Sequence, residues 1–123
     1  MMGAWSRSRR VFVFGAPVDM RKSYDTLGAV VREHMKRDLL EGDVFVFVGK
    51  RRRVAKVLYW DGTGTCVLQK RMEKGLFVAP WQMCRHEWTS SELALFLEGC
   101  EVIGRVALSP APWSQEQREV TFR

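Results

Sequence analysis

Residues 44–78 read VFVFVGKRRRVAKVLYWDGTGTCVLQKRMEKGLFV, the longest strand-like pattern in the chain. β-Branched and aromatic residues fill Val44–Val48 and return over Val54–Trp60, which predicts a β-hairpin with Gly49–Arg53 at its tip. Both strands are apolar on both faces, unlike the alternating pattern of a sheet that faces water on one side. We therefore expect a separate layer of the protein to cover each face of the sheet.

Two further strands are predicted after this hairpin. Asp61-Gly62 is a dipeptide that tolerates the positive φ angles of a tight turn, and a third strand leaves it through Thr65–Leu68. A fourth strand, Leu76–Val78, follows a second turn at Glu73-Lys74-Gly75. Together the four runs predict a small antiparallel β-meander, either open or curled into a partial barrel.

The segments on either side add one strand and two helices. Val11–Phe14 is a short β-like run, and Ser23 is a good N-cap for a helix that extends to Met35. The residues expected on the packed face of this helix recur every three or four positions: Tyr24, Leu27, Val30, Val31, His34 and Met35. A capping box at Thr89–Glu92 predicts a second, short helix that ends near Glu98. The predicted fold class is α+β.

Length and composition predict one soluble domain. The chain has 123 residues, and we place the domain at residues 11–99, between a flexible basic arm (1–10) and a weakly ordered tail (100–123). Hydrophobic residues make up 46% of the chain and charged residues 28%, as in an ordinary globular protein. No segment approaches the ~18 consecutive apolar residues that a bilayer requires. We expect a cytoplasmic protein with no membrane contact.

Residues 1–74 hold 16 Lys and Arg against 8 Asp and Glu, a charge of +8, and the remaining residues reduce the net charge of the chain to +6. This excess favours a polyanionic partner. The candidate nucleic-acid-binding residues are the cations of the hairpin tip, their neighbours on the sheet and the basic pair before the first helix: Lys50, Arg51, Arg52, Arg53, Lys56, Lys70, Arg71, Lys74, Arg21 and Lys22. Adjacent cations repel one another, and DNA phosphates are a natural counter-charge because each neutralised phosphate releases counterions.

The same residue types allow structural interpretations. A charged loop can simply keep a sheet edge from aggregating, and Arg7, Arg9 and Arg10 of the arm could either touch phosphates or only solvate the terminus. Four aromatic residues interleave with the cations and could stack on bases, although their spacing favours the core: Tyr59, Trp60, Trp81 and Trp88.

The sequence predicts no catalytic residue, no cofactor and no metal site. The carboxylates that a two-metal nuclease would need do not occur at ligand spacing: Asp19, Asp25, Asp61 and Glu73. Cys66, Cys84 and Cys100 are odd in number and far apart, which argues against a disulfide framework and a zinc site. Gly62-Thr63-Gly64 lacks the third glycine of a dinucleotide-binding loop.

Five blocks of the chain occur in an order that is typical of one protein family. The blocks are Pro17–Leu27, Phe45–Phe47 with Arg51, Arg52 and Lys56, Leu58–Gly64, Lys70–Phe77, and Glu92–Gly99. Asp-Met-Arg-Lys at Asp19–Lys22 and Trp-Asp-Gly at Trp60–Gly62 are specific in combination. On these residues the chain resembles the TnpB accessory proteins of the insertion-sequence-66 family of bacterial transposable elements.

This resemblance implies an accessory protein that is needed for transposition. It implies that the protein acts with a separate, larger DDE-type transposase and with another small protein of the same element. DNA binding is the activity commonly supposed for the family, and no catalytic residue is carried over. We expect non-catalytic binding to the element ends or target DNA and assembly of the transposase complex. The alternatives are a protein-interaction factor without direct DNA binding and, third, a small metal-dependent nuclease.

Overall fold

The computed structural model describes residues 9–99, and within this range the chain forms five strands and two α-helices. In chain order these are β1 (Val11–Val13), α1 (Tyr24–Glu33), β2 (Val44–Val48), β3 (Val54–Trp60), β4 (Thr65–Arg71), β5 (Glu87–Trp88) and α2 (Ser90–Leu97). Short 3₁₀ turns lie at Leu39–Glu41 and Pro80–Gln82. The α+β class is confirmed. Most of the predicted arm and all of the predicted tail lie outside the described residues.

The strands form one open sheet in the order β4-β3-β2-β1-β5. Three adjacent strands on one side of the sheet, β2, β3 and β4, form the predicted antiparallel meander, with Val46 opposite Val57 and Leu58 opposite Val67. β1 lies parallel to β2, and α1 connects them because a parallel pair needs a crossover connection. β5 is antiparallel to β1. The sheet is therefore mixed and does not close into a barrel.

Alternate side chains of β2 divide the core into two layers, as the pleat of a strand requires. The valines of β2 pack with Leu93 and Phe96 of α2, and its phenylalanines pack with Leu27 and Val31 of α1. None of these side chains is more than 1% exposed. Burying one such side chain contributes about 1.5–3 kcal/mol. The two helices thus supply the cover that the apolar strands require on each face.

The predicted fourth strand at Leu76–Val78 is wrong, and the last strand of the sheet is β5 instead. The Phe77 N–H donates to the Arg52 carbonyl at 2.8 Å, and the Phe77 ring stacks on Phe96 with 4.9 Å between centroids. Burial of this ring fixes the segment against the hairpin tip and the α2 layer. Residues 76–78 therefore do not form a further strand beside β4.

The sequence predicts the start of α2 correctly but places two residues at the ends of α1 wrongly on its packed face. The capping box of α2 is confirmed, because the Glu92 N–H donates to Thr89 Oγ1 at 3.1 Å and the Thr89 N–H to Glu92 Oε1 at 2.8 Å. Two residues expected on the packed face of α1 are exposed: Tyr24, its first residue, and His34, its C-cap. Neither described helix has the length and apolar character needed to cross a membrane.

Two arginines of the predicted arm are fixed to the domain. The Arg9 guanidinium donates to the carbonyls of Gly42 at 2.6 Å and Trp60 at 3.3 Å. Arg10 forms an ion pair with Asp43 at 3.3 Å. Both contacts lie at the end of the sheet where β2 begins, and both hold the start of β1 beside the start of β2.

Candidate nucleic-acid interface

Three segments meet at one end of the sheet, and we call residues 19–22, 50–53 and 70–74 together the basic end. β2 ends, β3 begins and β4 ends there because the three strands are antiparallel neighbours. The Val18 N–H donates to the Val48 carbonyl at 3.0 Å, and the Met72 N–H donates to the Arg53 carbonyl at 2.7 Å. The topology thus places the cations predicted to bind nucleic acid at this end or directly beside it.

Arg52 holds the hairpin tip in shape. Its backbone lies in the left-handed region with φ at +63°, and its N–H donates to the Gly49 carbonyl at 2.9 Å. Its guanidinium Nε donates to the Phe77 carbonyl at 2.8 Å. Arg52 is therefore a structural part of the tip, whereas Lys50, Arg51 and Arg53 are exposed.

The Asp19–Lys22 segment is a turn closed by its own carboxylate. Asp19 Oδ1 accepts the Arg21 N–H at 2.9 Å, and the Arg21 guanidinium lies 2.7 Å from Asp19 Oδ2. These hydrogen bonds hold the pKa of the Asp19 carboxyl well below its usual range and raise that of Arg21. The carboxylate stays ionised at neutral pH, so it offsets the charge that Arg21 adds to the basic end.

Lys56 is a buried structural lysine. Its side chain is on β3, the residue is 5% exposed, and its ammonium donates to the Lys22 carbonyl at 2.6 Å. A buried polar group without a partner is costly, so this bond satisfies both groups. Lys56 fastens the Asp19–Lys22 turn to the sheet and does not present its charge to solvent.

The third segment contributes cations of three kinds. Lys70 donates to the Leu97 carbonyl at 2.5 Å and so binds the C-terminus of α2, where a cation complements the helix dipole. Arg71 lies 3.8 Å from Glu73 in an exposed ion pair. Lys74 is exposed in the turn that precedes Gly75.

A shallow cleft of about 380 Å³ separates the first segment from the hairpin tip. Val18, Met20 and Val54 form the apolar part of its lining, and Gly49, Asp19 and the tip cations form the rest. Gly49 is required here, because a Cβ at this position would lie 2.7 Å from the Cγ atom of Met20. The cleft therefore has apolar walls and a cationic rim.

The aromatic residues considered for base stacking do not lie at the basic end as exposed platforms. Tyr59 and Trp88 are each 2% exposed, and Trp81 packs against the α2 layer. Trp60 lies at the opposite end of β3, where its carbonyl accepts a bond from Arg9. Their main role is packing.

The four carboxylates considered above for a two-metal nuclease are not gathered into one cluster. Within residues 9–99, no three His, Cys, Asp or Glu side chains are grouped closely enough to hold a metal ion. Asp61 instead closes the β3–β4 turn, where its Oδ1 accepts the N–H groups of Thr63 and Gly64, both at 2.9 Å. Those two bonds lower the pKa of the Asp61 carboxyl.

Comparison with known proteins assigns the family. The family described as IS66 Orf2 like protein matches residues 9–106. The chain belongs to this family. Two relatives from Sinorhizobium fredii carry the names uncharacterized protein y4hO and y4jC. The first is 33% identical over 105 residues, which are 85% of this chain and 75% of the relative. The second is 39% identical over 75 residues, which are 61% of this chain and 64% of the relative. No solved structure matches the chain.

Membership of the IS66 Orf2-like family gives the protein an accessory role associated with transposition. The blocks that carried the resemblance occupy both ends of the sheet in this IS66 Orf2-like protein. Asp19–Lys22 and Lys70–Lys74 belong to the basic end, whereas Trp60–Gly64 forms the turn at the other end. At least one block of the family pattern, Trp60–Gly64, therefore has a structural role, because it forms the β3–β4 turn.

Two exposed apolar residues of this IS66 Orf2-like protein were not predicted as part of the site. Tyr24 is 53% exposed at the start of α1, directly after the Asp19–Lys22 turn. Leu76 is 43% exposed beside Lys74. The signal for Tyr24 was available, because a residue directly after a predicted N-cap begins the helix and need not share its buried face.

Proposed function

We propose that this IS66 Orf2-like protein binds the phosphate backbone of duplex DNA through its basic end and does so without catalysis. The DNA would be the element ends or the target. In the same role it helps to assemble the DDE-type transposase and the other small protein of the element. The observation that carries this proposal is the meeting of three separate cationic segments at one end of the sheet.

The charges at this end divide into structural and exposed cations. Lys56 and Arg52 are bonded into the fold, and Lys70 binds the end of α2. Lys50, Arg51, Arg53 and Lys74 are exposed, and two further cations, Arg21 and Arg71, have exposed carboxylate partners. A phosphate can compete for such exposed pairs because water and salt already screen them.

Duplex backbone is a better fit than single-stranded DNA. Binding of single strands typically combines cations with exposed aromatic platforms for the bases. Here Tyr59 and Trp88 are buried, and of the aromatic residues on the described surface Tyr24 alone is more than half exposed and close to the basic end. Backbone contacts carry no direct sequence information, so the expected affinity is similar for different duplexes.

The protein-interaction alternative is favoured by one observation. The exposed Leu76 and the half-buried Met20 of the cleft lie among the cations. A surface that combines apolar side chains with a cationic rim also suits an acidic protein partner, since interfaces place apolar contacts inside a polar rim. Under this alternative the basic end binds an acidic surface of the transposase.

The deciding experiment measures DNA affinity against salt concentration by fluorescence anisotropy, with element-end and unrelated duplexes, with and without the transposase. The variant is Lys50→Ala, Arg51→Ala and Arg53→Ala combined, which spares the structural Arg52. Each lost phosphate contact reduces the slope of log affinity against log salt by roughly 0.9, so we expect a decrease of about 1 to 3. Affinity should fall for both duplexes by a similar factor.

A pair of single variants controls for net charge. Arg51→Ala and Arg32→Ala remove the same charge, but Arg32 lies in the last turn of α1, away from the basic end. Only Arg51→Ala should lower the salt slope. Equal slopes in the wild type and the folded triple variant would overturn the proposal, and loss of transposase capture alone would favour the protein-interaction alternative. Cleavage of these duplexes in Mg²⁺ would contradict the non-catalytic part.

A further inference from the structure

The outer backbone edge of β4 is an interaction surface separate from the proposed phosphate contacts, although the side chains of Lys70 and Arg71 at its end also belong to the basic end. β4 has seven residues and lies at the edge of the sheet, and within residues 9–99 it pairs with β3 alone. A long strand at an edge presents backbone donors and acceptors to any further strand. Its first four residues, Thr65–Leu68, are half-buried, and the next three are exposed.

The ends of the β3–β4 ladder determine which backbone groups point outward. The Asp61 N–H donates to the Gly64 carbonyl at one end, and the Met72 N–H donates to the Arg53 carbonyl at the other. Bonded and non-bonded pairs alternate along an antiparallel ladder. Applied to the register of this pair, the alternation directs the backbone groups of four residues away from β3: Thr65, Val67, Gln69 and Arg71.

We infer that β4 pairs with β4 of a second copy of this chain, antiparallel about a two-fold axis at Leu68. Full overlap of the two strands sets Leu68 opposite Leu68 of the second copy. The outward residues then form the bonded pairs: Thr65 with Arg71, and Val67 with Gln69. This arrangement forms about eight backbone hydrogen bonds. It joins two sheets into one and buries the apolar half of each edge.

The charges of the strand select this partner and this direction. Lys70 and Arg71 are at one end of the strand, and Asp61 is at the other, with its Oδ2 3.5 Å from the Cys66 thiol. Antiparallel overlap sets Lys70 opposite Cys66 of the second copy, where the N–H groups of its ammonium that do not bond the Leu97 carbonyl of its own chain lie beside that copy's carboxylate. Opposite charges on facing strands stabilise a pair, and like charges directly opposite destabilise it. Parallel overlap would instead set Lys70 against Lys70.

Sedimentation of the full chain over a range of concentrations tests the inference. A reversible dimer is expected for the wild type. Gln69→Pro removes an outward N–H and leaves the bonds to β3 intact, since proline lacks only its own donor. We expect it to weaken dimerisation at least ten-fold, whereas the matched control Gln69→Ala keeps the donor and should dimerise as the wild type does.

A second variant keeps the test decisive if proline disturbs folding. With Cys66, Cys84 and Cys100 replaced by serine, Leu68→Cys should form an intermolecular disulfide under mild oxidation, because Cα atoms of a facing non-bonded pair lie about 4.5 Å apart. Gln69→Cys in the same background should not, because it faces Val67. A full chain that is monomeric and does not cross-link through Leu68→Cys overturns the inference. So does a monomer that dimerises only after removal of residues 100–123, since that segment would then occupy the edge.

Discussion

Gly62→Val tests whether the Trp-Asp-Gly block at Trp60–Gly62 has a structural role as a strained turn of the fold. Gly62 has φ at +105°, and a Cβ at this position would meet no atom within 4 Å. The cost of a side chain is therefore backbone strain rather than collision. Holding a non-glycine residue in such a conformation costs about 1–3 kcal/mol. Gly64 is the matched control, because it has the same open space and its φ lies outside the left-handed region.

The comparison of the two variants isolates the strain. Replacing either glycine reduces the conformational freedom of the unfolded chain by a similar amount, so this contribution cancels between them. Gly62→Val should be about 1–3 kcal/mol less stable than Gly64→Val in urea unfolding followed by tryptophan fluorescence. For a domain of this size its melting temperature should be lower by about 4 °C or more. The DNA salt slope should be unchanged, since the turn is at the end of the sheet opposite the basic end. Equal stabilities would refute the assignment of this block to a strained turn.

Two further predictions use buried and ionised groups. Lys56→Ala should destabilise the domain by about 1–3 kcal/mol, because it leaves the Lys22 carbonyl without its donor, and thermal unfolding measures this loss. The salt slope of the folded fraction should be retained, and a decrease of about 0.9 would mean that Lys56 reaches phosphate. The pKa values of Asp19 and Asp61 are lowered by folding, so their stabilising contribution is present above the usual carboxyl value of 3.8 and is lost as the pH falls below it. Urea unfolding between pH 2 and pH 6 should therefore show a smaller acid loss in Asp61→Asn than in the wild type, and an identical pH profile would contradict the bonds drawn to Asp61.

Continuous apolar runs made the centre of the sheet predictable. Val44–Val48 and Val54–Trp60 are strands with the predicted bounds, because burial on both faces requires apolar side chains at every position. The pairing of β1 was not predictable in the same way. A strand of three residues has no pattern that distinguishes parallel from antiparallel neighbours, and its direction follows from the α1 crossover.

The errors came from features that depend on tertiary contacts. Leu76–Val78 has strand-like residues, yet the Phe77 ring is buried against Phe96 and fixes the segment elsewhere. Tyr24 fits the helical period, but the buried face of a ten-residue helix is centred on Leu27 and Val31. Local propensity is a weak guide wherever a single buried ring or a helix end decides the conformation.

The candidate cations also show that the sequence alone does not distinguish structural cations from exposed ones. Lys, Arg, Arg and Arg at residues 50–53 are equivalent in sequence, but Arg52 is bonded to Phe77 and has a positive φ, while its three neighbours are exposed. Replacing all four together would therefore mix a loss of charge with damage to the tip. Lys56 also differs from the exposed cations near it in sequence. It lies on a strand with both faces covered, so its ammonium requires an acceptor within the protein. Charge in a sequence thus identifies the basic end, and the hydrogen bonds of each side chain identify which of its cations remain able to meet a phosphate.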